Sequence, residues 1–254
     1  EILFTSGATE SDNLVVLGLT AFGERTGHRH IISTAIEHKA VLEPLAAMRR
    51  LGFDVDLAPV TSDGYVEPDA IRKRLRRDTL LVSVMHANNE TGVLQPVWEI
   101  AEAIAATDTL FHTDAAQTFG KEVDDLRRLR CDLLSISGHK IYGPQGIGAI
   151  AIRRRGSKRP PLEPLMFGGG QERGVRPGVT GVRGDHALER GLSFGGAARE
   201  PFDEREVEEH LGIPGAPGEE QAQLFARVVE APGQHQEARV QEPGRRGVGL
   251  PGDG

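Results

Sequence analysis

One cysteine, Cys131, in 254 residues leaves no partner for an internal disulfide and excludes any cysteine-based zinc or iron-sulfur ligand set. A reducing compartment is the default, which puts the expectation at cytoplasmic with an organellar origin left open. No apolar run approaches membrane-spanning length, and no charged-then-apolar signal opens the chain at Glu1-Ile-Leu-Phe4. Basic excess is lacking too: the net charge of −7 argues against a general nucleic-acid binder. His28 and His30 have no third ligand at a useful spacing, so they read as structural or solvated rather than metal-binding. What remains is an ordinary globular composition, 38% hydrophobic, with enough chain for one large domain or a domain with a smaller partner.

The chain is organised around Cys131-Asp-Leu-Leu-Ser-Ile-Ser-Gly-His-Lys140-Ile-Tyr-Gly-Pro. A short apolar run ends in Ser137-Gly138-His139, and Lys140 follows just before a Gly-Pro turn, as on a strand that delivers a lysine to a loop. A lysine desolvated at such a strand end loses its proton near neutrality and can attack a carbonyl to form a Schiff base. At 26 residues upstream (140 − 114), Leu110-Phe-His-Thr-Asp114 is another apolar run ending in a carboxylate. If the two runs are neighbouring strands, Asp114 and Lys140 emerge at one edge of one sheet. Pyridoxal phosphate needs that pair, a lysine for its aldehyde and a carboxylate to keep its ring nitrogen protonated.

Strand and helix patterns alternate along the rest. Ile2–Phe4 reads as a strand, and a helix follows, with Thr9 and Asp12 at capping-box spacing. His30–Ala35 reads as a strand, the stretch from Glu37 to Arg50 as a helix and Phe53–Pro59 as a strand. Val66–Arg77 reads as an amphipathic helix, Leu80–Met85 as a strand and Val97–Ala106 as a helix, with Ala149–Ile152 as a further strand. Arg153–Arg159 reads as a solvated basic turn. The alternation predicts an α/β fold with a mainly parallel sheet covered by helices.

Thr113-Asp114-Ala-Ala-Gln117 with Ser137-Gly-His-Lys140 resembles the cysteine desulfurases, a branch of the class V aminotransferase-like enzymes that includes the selenocysteine lyases. Ser6-Gly-Ala-Thr-Glu-Ser, Glu37-His38, Asn88-Asn-Glu-Thr-Gly92 and Phe167-Gly-Gly-Gly-Gln-Glu-Arg-Gly match further motifs in the family's order. The resemblance implies an aspartate-aminotransferase-like large domain (PLP fold type I) and pyridoxal 5'-phosphate as cofactor. It implies Lys140 as the residue that carries the cofactor and moves protons, and His38 as the histidine that stacks on its ring and serves as acid or base. It also implies cofactor contacts from Ala8, Thr9, Asn89, Asp114, Gln117, Ser137 and His139. A threonine after Arg-Pro-Gly reaches the neighbouring subunit's phosphate in the family; here Val179 holds that place and Thr180 follows it.

The implied reaction removes sulfur from L-cysteine, leaving L-alanine and a persulfide on a cysteine thiolate. It implies a homodimer and a sulfur-acceptor or scaffold protein, with no nucleic acid or membrane. The match runs over about residues 1–196, the expected PLP-binding domain, incomplete at its N-terminus. Residues 201–254 hold 9 Gly and 6 Pro in 54, about 28%, so 197–254 reads as a poorly ordered or aberrant segment. The family's small domain, with its mobile cysteine loop and substrate-carboxylate arginine, is not found there; a truncated or frame-shifted reading of a longer protein would explain this. Cys131 precedes the strand leading to Lys140, and six residues at about 3.3 Å each put its sulfur roughly 20 Å from that strand's far end. It reads as buried filler, not the sulfur-accepting nucleophile. Two other readings stay open: a selenocysteine lyase or another class V PLP enzyme, and a catalytically incomplete chain that only docks or dimerises.

Overall fold

The computed structural model describes residues 1–121, 126, 128–143 and 145–178. Seven strands form one sheet: β1 (Ile2–Thr5), β2 (His30–Thr34), β3 (Asp54–Ala58), β4 (Thr79–Ser83), β5 (Leu110–Asp114), β6 (Leu133–Ser137) and β7 (Gly148–Ile152). Their order is β1-β7-β6-β5-β4-β2-β3. The pairs β2–β3, β2–β4, β4–β5 and β5–β6 are parallel, whereas β7 runs antiparallel to both β6 and β1. Every residue of β2, β4, β5 and β6 is buried, as expected for parallel strands covered on both faces.

Alternation along the strands divides the core in two. Leu3, Ile31, Leu81, Leu110, Leu133 and Ile150 face helices α1 (Ala8–Leu17) and α3 (Lys39–Arg50). Phe4, Ile32, Val82, Phe111, Leu134 and Ala149 face α5 (Val97–Ile104) and Ile71 of the short α4 (Pro68–Arg72). A further helix, α2 (Thr20–Thr26), continues beyond α1. Inside α3, Pro44 has no N–H to give the carbonyl of Ala40, and Asn13 of α1 supplies the missing donor from its Nδ2 at 3.4 Å.

Three expectations change. The helix expected over Val66–Arg77 is confined to Pro68–Arg72, because Val66 bridges back to Val60 and its N–H is taken by the side chain of Gln95. The basic turn is not merely solvated: Arg155 pairs with both carboxylate oxygens of the buried Asp132 at 2.7 Å and caps the carbonyls of Thr107 and Thr109. Thr9 and Asp12 do not form a capping box, since both lie inside α1 and Gly7 is its N-cap. The N-terminal turn is closed instead by Glu10, which accepts the N–H of Ser6 at 2.7 Å.

Close passage of β7 beneath this turn depends on Gly148. A methyl group there would sit 2.5 Å from the Cα and 2.6 Å from the carbonyl carbon of Gly7, and 2.7 Å from the carbonyl oxygen of Ile136. All three are backbone atoms with no rotamer to yield. Gly148→Ala is therefore expected to destabilise the fold by about 1–3 kcal/mol, the cost of overpacking, read as a lower urea midpoint with unchanged slope.

Candidate functional site

Four strand ends converge at the carboxyl edge of the sheet, the side on which open α/β sheets bind ligands. Asp114 ends β5, buried, and its Oδ1 accepts the N–H of Ala116 at 2.8 Å. Oδ2 takes no hydrogen bond among the described residues. Burial pushes the Asp114 carboxyl above the usual carboxylate range, while the Ala116 N–H and the nearby His38 imidazole pull it back. β6 lies beside β5, with Ser135 registered opposite Asp114. Past Ser137 the chain makes one 3-10 turn, Gly138–Ile141, which carries His139 and Lys140. The turn is stopped by Tyr142 in the left-handed region at φ 63°, where a side chain is costly.

Lys140 is thus one turn beyond the strand, and it is exposed rather than desolvated as its position in the sequence suggests. The reason is local: a strand's last residue is covered by both helical layers, whereas a turn past the edge is covered by neither. Ser137 is buried and its hydroxyl meets Nδ1 of the exposed His139 at 3.0 Å.

After β2, Glu37 and His38 turn the chain into α3. His38 is its N-cap, and Nδ1 accepts the N–H of Ala40 at 3.1 Å. An accepting Nδ1 leaves Nε2 as the ring atom open to proton exchange. Glu37 lies under this turn, buried, accepting the hydroxyl of Thr34 at 2.6 Å and the N–H of Met85 at 3.0 and 3.1 Å. It therefore ties the histidine turn to the chain leaving β4.

The asparagine loop is held by Asn88, not Asn89. Asn88 is buried; its Oδ1 accepts the N–H groups of Glu90 and Thr91, both at 2.9 Å, and its Nδ2 donates to the Ile36 carbonyl at 2.9 Å. Asn89 is left exposed at the tip, and Gln117 is half-buried in the turn after β5. At the start of α1 no side chain caps the helix, and the N–H groups of Ala8 and Thr9 have no hydrogen-bond partner among the described residues, a ready anion site. Beside Thr9 a recess of about 410 Å³ opens between α1 and the segment around Met166 and Arg176; it contains none of Asp114, His38 or Lys140. Thr180 and its neighbours lie outside the described residues.

These groups fit pyridoxal phosphate: a buried carboxylate with one uncommitted oxygen, an amine beyond the next strand, an imidazole with Nε2 open, and an uncapped helix start. Sequence reasoning missed Asn88, the anchoring role of Glu37, and the buried Asp12 and His112. The last two had a signal, polar side chains on faces otherwise patterned for the core.

The family model described as Aminotransferase class-V matches residues 1–183. A relative from Candida maltosa named "Cysteine desulfurase, mitochondrial" is 46% identical over 213 residues, covering 82% of this chain and 42% of its own length. The crystal structure of DndA from Streptomyces lividans superposes with TM-score 0.69 at 50% identity, over 76% of this chain and 60% of that one. A structure titled "SspA in complex with cysteine" gives TM-score 0.63 at 30% identity, over 91% of this chain and 77% of that one. The chain thus spans less than half the length of the mitochondrial relative.

Burial raises the Glu37 carboxyl to about 8, so this acid is mostly protonated in the folded state at neutral pH and ionised in the unfolded chain. Its stabilising contribution is full below the unfolded pKa, about 4.3, and is lost as pH rises towards 8. Within that window the loss is at most about 1.4 kcal/mol per pH unit. Chemical denaturation from pH 5 to 9 should show Glu37→Gln with a shallower decline than the wild-type chain.

Proposed function

The chain belongs to the class-V aminotransferase family, and on that premise we propose that it is the cofactor-binding part of a pyridoxal-phosphate-dependent cysteine desulfurase, acting on L-cysteine. The observation that carries this reading is the placement of Asp114 and Lys140 at the ends of adjacent parallel strands, with His38 close enough to Asp114 to favour its charged form. Names of relatives support it, as does the cysteine complex of SspA.

Bound in this edge, the cofactor would supply an electron-withdrawing ring that accepts the electron pair released at the substrate carbon. Asp114, fixed by Ala116, would hold a proton on the ring nitrogen through its uncommitted oxygen. Its burial favours that pairing, because a carboxylate in a dry site gains much more from a cation than one in water. The N–H groups of Ala8 and Thr9, with Ser137 and His139 from the next strand end, would hold the phosphate. Gln117 and Asn89, in the loops after β5 and β4, would contact the ring. The Lys140 amine would take the aldehyde and afterwards carry protons, which its exposed and flexible stem permits. His38 would stack on the ring and exchange a proton at Nε2. A homodimer, a sulfur-acceptor or scaffold protein, and Thr180 at a neighbouring subunit's phosphate belong to the same proposal.

Cys131 is not the sulfur acceptor in this reading. It is buried before β6, at the end of the strand opposite Lys140, and burial pushes its thiol up to about 12. A thiol so placed is neither ionised nor within reach. Iodoacetamide at neutral pH should label it only after denaturation, and Cys131→Ala should leave cofactor binding unchanged; fast labelling of the native chain, seen by mass spectrometry, would contradict this.

The test of the main reading is borohydride reduction of the chain with pyridoxal phosphate, followed by peptide mapping. The label is expected on Lys140; a label elsewhere with none on Lys140 would sink the assignment. Asp114→Asn should keep part of the cofactor affinity yet lose most cysteine turnover, by about tenfold or more, because an amide cannot hold the ring nitrogen protonated.

A further inference from the structure

On the α1 face of the sheet, the strands turn from apolar to polar within their last three residues: Ile31 is followed by Ser33, Leu81 by Ser83, Leu110 by His112 and Leu133 by Ser135. These four polar residues are all fully buried and form a hydrogen-bonded row across the sheet. The Ser33 hydroxyl donates to the Ser83 carbonyl at 2.8 Å; Ser83 Oγ meets His112 Nδ1 at 2.9 Å; and His112 Nε2 meets Ser135 Oγ at 3.0 Å. His112 thereby joins β4, β5 and β6 two residues before Asp114.

Over this row α1 places Asp12, itself fully buried. Neither carboxyl oxygen makes a hydrogen bond of normal geometry with a described residue, and Oδ1 lies 3.6 Å from His112 Nε2. Among the described residues, no lysine or arginine pairs with it. From β5 it faces His112 and Asp114, from β6 Ser135, and from the turn after β2 Glu37; His38 acts on Asp114. Three carboxyls thus share a dry volume in which His112 is held uncharged by burial. Charging Asp12 would set an unpaired anion behind Asp114, where like charges oppose each other's ionisation.

We propose that Asp12 is a proton-bearing carboxylic acid behind Asp114, a positioning residue that with His112 leaves Asp114 as the single negative charge facing the cofactor's ring nitrogen. The consequence at the ring rests on the functional reading above; the protonation of Asp12 does not. Desolvation, followed by the Asp114 charge and opposed by the Ser135 hydroxyl, raises its pKa in line with the geometry.

The test compares the full chain with Asp12→Asn, first without cofactor. A folded carboxyl that keeps its proton contributes stability that is full below the unfolded pKa, about 3.9, and is lost as pH rises. Glu37 and Asp114 titrate in both proteins, so the difference isolates Asp12. The folding constant of Asp12→Asn relative to wild type should rise by about tenfold per pH unit above that value until Asp12 itself ionises; a flat or falling ratio overturns the proposal. Infrared spectra of the wild-type chain with labelled aspartate should show a protonated carboxyl at neutral pH, and its absence overturns the proposal even if Asp12→Asn does not fold. With cofactor, Asp12→Asn should bind pyridoxal phosphate within about twofold of wild type, and a loss beyond tenfold overturns the charge assignment. If wild type binds none, the functional reading falls while the stability ratio and the infrared band still judge Asp12.

Discussion

Buried carboxyl groups without a lysine or arginine partner among the described residues set the terms on which this sheet can fold. Asp12, Glu37 and Asp114 are all buried near the carboxyl edge, and burial raises the pKa of each. The cost of an unpaired ion in such a place is several kcal/mol, far more than a hydroxyl or an amide N–H returns. Only two outcomes relieve it: a carboxyl keeps its proton, or a cation arrives. Asp12 has no described hydrogen-bond partner, and Glu37 is already spent on Thr34 and Met85. Asp114, at the strand end, keeps one oxygen uncommitted among the described residues, and its pairing with a positive charge would offset the cost of its burial.

The rest of the site follows from that arrangement. Covering the parallel strands on both faces makes the interior dry, which raises the cost of the acids and the worth of any charge they accept. Hydrogen bonds then fix the turns between strands and helices: Glu37 binds the histidine turn to the chain after β4, and Asn88 joins the asparagine loop to Ile36. Gly148 lets β7 pass against Gly7, which keeps the start of α1 level with the sheet edge. Each of these is a short polar or steric contact between segments distant in sequence.

That separation explains what could be read from the chain alone. Short branched runs such as Leu110–Asp114 and Leu133–Ser137 announce buried strands because both faces must be apolar, and the alternation with helical stretches is enough for the fold class. Gly-rich and Asn-rich stretches announce turns for equally local reasons, and the family motifs named Lys140, His38 and Asp114. Extent was harder: α4 is a single short turn because Gln95, 29 residues away, takes the N–H of Val66. Asp12 looked like part of a helix cap because spacing cannot show which way a helix faces. His112 passed as an ordinary strand residue, since the serines that flank it lie on the strands to either side.

Asp114 and Lys140 also differ in a way that suits the separate tasks proposed for them. A carboxylate that must hold a ring nitrogen gains from rigidity, because each degree of freedom frozen beforehand is one not lost on binding; strand β5, the Ala116 N–H and full coverage provide it. An amine that must reach an aldehyde, release it and then carry protons between atoms gains from a mobile stem. Placing it one 3-10 turn past the strand, exposed, with Tyr142 held in the left-handed region to end the turn, separates the amine from the fixed carboxylate. The strain at Tyr142 stays local, within a turn already outside the packed layers, where yielding would cost the core nothing.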